Sequence, residues 1–102
     1  MDAHLHPLTP EEQQLRREEC RRAVRDYLAV RQAIALHPQD IRRGLNACRV
    51  NDFTAEEVAA ACVFLVGLKY AEQLTAEMGA TLYYKAASAG VLAYERGGRL
   101  ET

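Results

Sequence analysis

No apolar run in this chain of 102 residues approaches the roughly 20 residues that a membrane-spanning helix needs. The longest, Val58 to Leu68, is rich in alanine and reads as a core helix. The opening Met1-Asp2-Ala3-His4 has neither a basic stretch nor an apolar one after it, so no secretory signal is expected. Cysteine is scarce: Cys20, Cys48 and Cys62 are odd in number, widely spaced and without a CxxC pair. That pattern argues against a zinc knuckle and a disulfide framework, and free thiols fit a reducing cytoplasm. His4-Leu5-His6 lacks a third ligand, so the histidines read as incidental and no metal or cofactor is expected. His37 stands in no acid–nucleophile motif, and no cysteine has a histidine at a diagnostic spacing; the chain is not expected to be an enzyme. There is no internal repeat and no low-complexity segment.

A basic excess is also lacking. Net charge is −1, and its distribution is uneven. Residues 1–52 hold nine arginines against eight acids, whereas residues 53–95 hold only Lys69 and Lys85 against five glutamates. A dedicated nucleic-acid binder usually carries a cationic surplus; here only a local patch could serve.

What is present is a series of start and stop signals. Residues 1–8 read as a disordered tail, 9–96 as one domain and 97–102 as a second tail. Thr9-Pro10-Glu11-Glu12 is a capping box with proline at the first helical position, and His37-Pro38 is the next stop. A first helix running from there to Leu36 would be about 40 Å long, against a radius of gyration of about 13 Å for a domain of this size. Its C-terminal half carries an apolar stripe of Cys20, Ala23, Tyr27, Val30 and Ile34, with Val24 and Leu28 beside it. Its N-terminal half offers only Leu15, so that half is expected to project, bend away or pack on a second copy.

Pro38 to Ala47 reads as a second helix with Ile41 and Leu45 inward, and Cys48 to Asp52 as a turn. Thr54-Ala55-Glu56-Glu57 repeats the capping box. Val58, Ala61, Cys62, Leu65 and Leu68 form the core stripe of the third helix. At 100° per residue its opposite face is Glu56, Ala59, Ala60, Val63 and Gly67. Tyr70–Leu74 and Thr81–Ala86 read as strands, with Gly79 expected to supply a positive φ in the loop between them. Tyr83 and Tyr84 alternate, one inward and one outward. A last helix from Ser88 to Glu95 stops at Gly97-Gly98.

Two stretches carry a resemblance. Phe64-Leu65-Val66-Gly67-Leu68-Lys69-Tyr70 looks like a Leu-x-x-x-Gly-aromatic passage from a third helix into a wing. Lys85-Ala86-Ala87-Ser88-Ala89-Gly90 looks like the return from a wing into a final helix, often written Ile-Thr-x-x-Gly. With the order helix, helix, turn, helix, hairpin, helix, residues 20–96 resemble the winged-helix superfamily, nearest to small bacterial and phage regulators. The resemblance implies a mainly α fold with a small β-hairpin, a winged helix-turn-helix with a long N-terminal helix. It also implies a cytoplasmic, non-enzymatic transcription regulator that binds DNA weakly or as a dimer. A homodimer through the first helix, the third helix or both is expected because the long first helix leaves apolar side chains without enough partner surface in one chain. The chain departs from the family where Ala87 replaces a capping threonine, so that the cap must shift to Ser88 or be lost.

It departs again where the helix that would read DNA shows two glutamates and no cation, since base edges are read by Arg, Lys, Asn and Gln. The expected phosphate contacts are therefore Arg42, Arg43 and Arg49, with Lys85. The alternative is a winged-helix protein-interaction module using Ala59, Ala60, Val63 and Gly67, whose small side chains permit close approach of a partner. The bland reading of that face is packing under the first helix. Arg16, Arg17, Arg21, Arg22 and Arg25 read as a solvated face with local ion pairs, with a phosphate-binding strip as the other reading.

Overall fold

A computed structural model describes residues 8–47, 52–76 and 78–97. It is mainly helical with a small antiparallel sheet: α1 (Pro10–Val30), α2 (Pro38–Ala47), α3 (Ala55–Gly67), β1 (Ala71–Thr75), β2 (Leu82–Ala86) and α4 (Ser88–Arg96). The tail positions His4 and His6, the turn residues Cys48, Arg49, Val50 and Asn51, and Gly98 lie outside the described residues.

Helix α1 starts as its sequence requires. The Thr9 hydroxyl accepts from the Glu12 N–H at 3.1 Å, and the Glu12 carboxylate accepts from the Thr9 N–H at 2.9 Å. It stops earlier than the periodicity suggests, at Val30, with Arg31 as C-cap. The cause lies six residues on. Leu36 forms an isolated antiparallel bridge to Tyr84, each N–H donating to the other's carbonyl at 2.8 Å. That bridge demands extended backbone, so residues 31–36 must leave the helix. Val30 and Ile34, expected in the core stripe, are consequently 59% and 52% exposed. Cys20, Ala23, Val24 and Leu28 are buried as expected.

The N-terminal half of α1 neither projects nor bends away. It packs on α3 through arginine: Arg16 chelates the Glu57 carboxylate, with Nη2–Oε1 at 2.9 Å, and also donates to the Asp52 carbonyl. Arg21 lies 3.6 Å above the Phe64 ring. Arg16 continues the row Cys20, Val24, Leu28 by one four-residue step.

His37 precedes α2 and holds its first turn, its Nδ1 accepting from the Gln39 N–H at 3.0 Å. The far end is tied to the start of α3 by a reciprocal amide pair. Asn46 Nδ2 donates to the Phe53 carbonyl and Asn46 Oδ1 accepts from the Phe53 N–H, both at 3.0 Å. Phe53 is thereby fixed in the core with Leu28, Ile41, Leu65, Val24 and Val58.

Helix α3 repeats the capping box, Thr54 and Glu57 exchanging bonds of 2.8 and 3.1 Å. Its C-terminus closes by a pair of reversed bonds, Tyr70 N–H to the Leu65 carbonyl at 2.9 Å and Lys69 N–H to the Val66 carbonyl at 3.0 Å. This Schellman pattern requires a left-handed residue next to the C-cap, and Lys69 supplies it at φ 66°. Leu68, expected in the core stripe, is the C-cap and only half-buried.

The hairpin begins one residue later in each strand than the sequence suggests, with Ala71 opposite Ala86 and Thr75 opposite Leu82. Tyr84 points into the core and Tyr83 outward against His37, ring centroids 6.0 Å apart. Gly79 does not take a positive φ; among the described residues only Lys69 and Gly97 do. The loop instead closes with Gly79 N–H on the Ala76 carbonyl at 3.3 Å, a turn with no call for a left-handed residue there. Helix α4 begins at Ala87, which has no side-chain cap; the cap is lost rather than shifted to Ser88. The Ala87 N–H donates to the Tyr70 carbonyl at 3.0 Å. A Cβ on Gly90 would lie well under 3.0 Å from that same oxygen, so only glycine lets α4 approach. Gly97, at φ 63°, ends the helix.

Two substitutions at this junction should move stability in opposite directions. Gly90→Ala overpacks backbone and should destabilise by about 2 kcal/mol. Lys69→Gly relieves the left-handed penalty and should stabilise by about 1 kcal/mol. Urea midpoints at constant slope read both; a neutral Gly90→Ala would contradict the close approach.

Candidate functional site

The sequence offers two groups of candidate residues, and the fold keeps them on different elements. Val63, at the centre of α3's outward face, is 58% exposed. Ala60 and Gly67 are exposed and Ala59 half-buried beside it. A Cβ on Gly67 would meet nothing within 4 Å, so nothing in this chain calls for a glycine there. Glu56, on the same stripe, is exposed and has no ion pair among the described residues; Lys69, also exposed, lies beyond the end of α3, past the C-cap Leu68. The face is also not simply packed under α1, which takes the neighbouring side. Between the two helices runs an open cleft of about 370 Å³, lined among others by Gln13, Arg17, Arg21, Glu56 and Ala60.

The cations are elsewhere and mostly engaged. Arg42 Nε donates to Gln39 Oε1 at 3.1 Å, and Arg43 pairs with Asp40 one turn back. Lys85 is half-buried on β2, opposite Glu72 in the ladder. Arg49 lies outside the described residues. Arg42 and Arg43 share α2; Lys85 sits on the strand that borders that helix's entry, one residue from Tyr84.

The arginines of α1 are a solvated face only in part: Arg17 and Arg22 are exposed. Arg16 and Arg21 pack on α3, and Arg25 is 3% exposed with its Nε 2.9 Å from Asp26 Oδ1. Sequence periodicity carried a usable signal for Arg16, since it falls in line with Cys20, Val24 and Leu28, but charged residues are ordinarily assigned to solvent. Arg17 remains at the surface, donating to Gln14 at 2.7 Å.

Electrostatics follow from this packing. The Arg16 guanidinium holds the Glu57 carboxylate below its ordinary value, against an opposing effect of burial and with help from Thr54. Burial pushes the Cys62 thiol up to about 12, with Cys20 nearby adding to the shift. Cys20 and Cys62 are both buried, and a Cys62 thiol that stays protonated is a poor nucleophile. Among the described residues no group of three or more His, Cys, Asp or Glu could hold a metal ion, and no helix is long and apolar enough to cross a membrane.

No family model, curated protein or solved structure matches this chain.

The Arg16–Glu57 pair gives a pH dependence of definite sign. Glu57 ordinarily titrates at 4.5 and is lowered in the fold. Its pairing therefore contributes fully above that value and is lost as pH falls through the depressed one. Arg16→Ala should lower stability at neutral pH by about 1 kcal/mol and flatten the decline between about pH 5 and pH 3. Urea midpoints across that range check it; parallel curves for the two proteins would contradict the pairing.

Proposed function

We propose that this chain is a winged helix-turn-helix regulatory module, non-enzymatic, that uses its third helix against protein. The winged-helix reading is supported by the element order and by the isolated Leu36–Tyr84 bridge, which sets one extended residue before α2 against β2 of the hairpin. One observation carries the choice of partner. The outward face of α3, which would enter a groove in a DNA-reading winged helix, presents Val63 between Ala60 and Gly67 with Glu56 on the same stripe and no cation. Phosphate repels that glutamate, and the alanine, valine and glycine cannot hydrogen-bond base edges. An apolar helix face rimmed by charge instead suits a protein contact.

A second reading keeps DNA as the partner through the backbone alone. It rests on Arg43, whose side chain is 68% exposed despite its bond to Asp40, with Arg42 on the same helix and Lys85 on β2. A surface pair of this kind is worth little and exchanges readily.

Titration of the whole protein into a random duplex at several salt concentrations separates the two. The protein-partner reading expects no binding tighter than the weakest nonspecific range, a Kd of about 10⁻⁴ M. Tighter binding that falls with salt, with a log–log slope reduced by about two when Arg42 and Arg43 are both changed to alanine, would replace it with the DNA reading.

A further inference from the structure

The cleft between α1 and α3 is walled by two rows of side chains. Arg16 meets Glu57 and Arg21 meets Phe64, so the two helices run in the same direction where they touch. Gln13, Arg17 and Arg21, at four-residue steps, line one wall, and Glu56 and Ala60 line the other. Cys20 and Ala61 give the cleft a small, apolar floor, and the Arg16–Glu57 pair beside them is already neutralised.

The charges on the walls do not meet across the cleft. Arg17 donates to the neutral Gln14, and Arg21 lies on the Phe64 ring. Neither forms an ion pair with Glu56 or with any other acid among the described residues. A guanidinium stacked on a ring keeps its in-plane N–H donors open to an acceptor. These charges are also ordered along the cleft. Phe64, which holds Arg21, stands eight residues beyond Glu56, about 12 Å along the α3 axis. A ligand that satisfies both ends carries an ammonium and a carboxylate about 10 Å apart, which is the span of about three extended residues. The volume of about 370 Å³ lies at the small end of ligand sites, and the floor of cysteine and alanine suits small side chains.

We propose that this cleft binds a short peptide of about three small residues with both ends free. Its ammonium sits on Glu56 and its carboxylate on Arg21, with Arg17 alongside. A guanidinium takes a carboxylate through two parallel hydrogen bonds, which fixes the orientation of the peptide. The terminus of a protein supplies only one of the two charges. The cleft lies beside the Val63 face and does not depend on what that face meets.

Trialanine titrated into the isotope-labelled full chain tests the proposal. It should give saturable amide shifts from Gln13 to Arg21 and from Glu56 to Ala61, with a Kd on the order of 1 mM. N-acetyl-trialanine and trialanine amide should each bind about tenfold more weakly, since each lacks one charged contact, and alanine alone, which reaches one end only, should do the same. Glu56→Gln should weaken trialanine about tenfold and leave N-acetyl-trialanine unchanged, whereas a folding defect would weaken both alike. Saturable binding of trialanine no tighter than that of N-acetyl-trialanine amide, shifts confined to residues outside the cleft, or no saturable shift at all would overturn the proposal. Each of those results would leave the protein-partner reading standing, since that reading falls only to salt-dependent duplex binding.

Discussion

The Arg16 guanidinium on the Glu57 carboxylate decides which side of α3 is left for anything else. Glu57 already closes the capping box with Thr54, so the same carboxylate starts α3 and anchors α1. Arg21 stacking on Phe64 extends the contact by about one turn. A cation that might have served a phosphate is thereby consumed inside the fold. The opposite face of α3 is set by elimination: Val58, Ala61, Cys62 and Leu65 go to the core, Phe64 goes to α1, and Ala60, Val63 and Gly67 remain outside.

A second constraint meets at Tyr70. Its N–H closes the end of α3 on Leu65, and its carbonyl accepts from Ala87 and lies where a Gly90 side chain would be. One residue thus joins the end of α3 to the start of β1 and the start of α4. The hairpin then delivers Tyr84 to the core and to Leu36, which ends the reach of α1 and positions His37 as the start of α2. Both ends of α3 are thus tied to its neighbours, with Val63 exposed between them.

Much of the element order was legible because it rests on local chemistry. Thr9–Glu12 and Thr54–Glu57 satisfy backbone donors within one turn, so the signature and the cause are the same residues. Ala87 as a missing cap and Gly97 as a stop were equally local. What escaped depended on distance. The periodicity of α1 continues through Val30 and Ile34, and nothing nearby announces that Leu36 will pair with a residue 48 positions later. Positive φ was assigned to Gly79 by residue type, whereas the fold assigns it by place: the carbonyls of Leu65 and Val66 need donors, and Lys69 takes the strain. The outward face of α3 was legible from its 100° spacing. The expected cations stand apart from that face, as their sequence positions imply: Arg42 and Arg43 belong to α2 and Lys85 to β2, while Arg49 lies outside the described residues.

The most direct test of the account is the accessibility of the centre of α3. In Val63→Cys the native protein should react with a thiol reagent at one equivalent beyond the unsubstituted chain, while Cys20 and Cys62 react only on unfolding. Protection of position 63 in the native protein at low micromolar concentration would contradict the account.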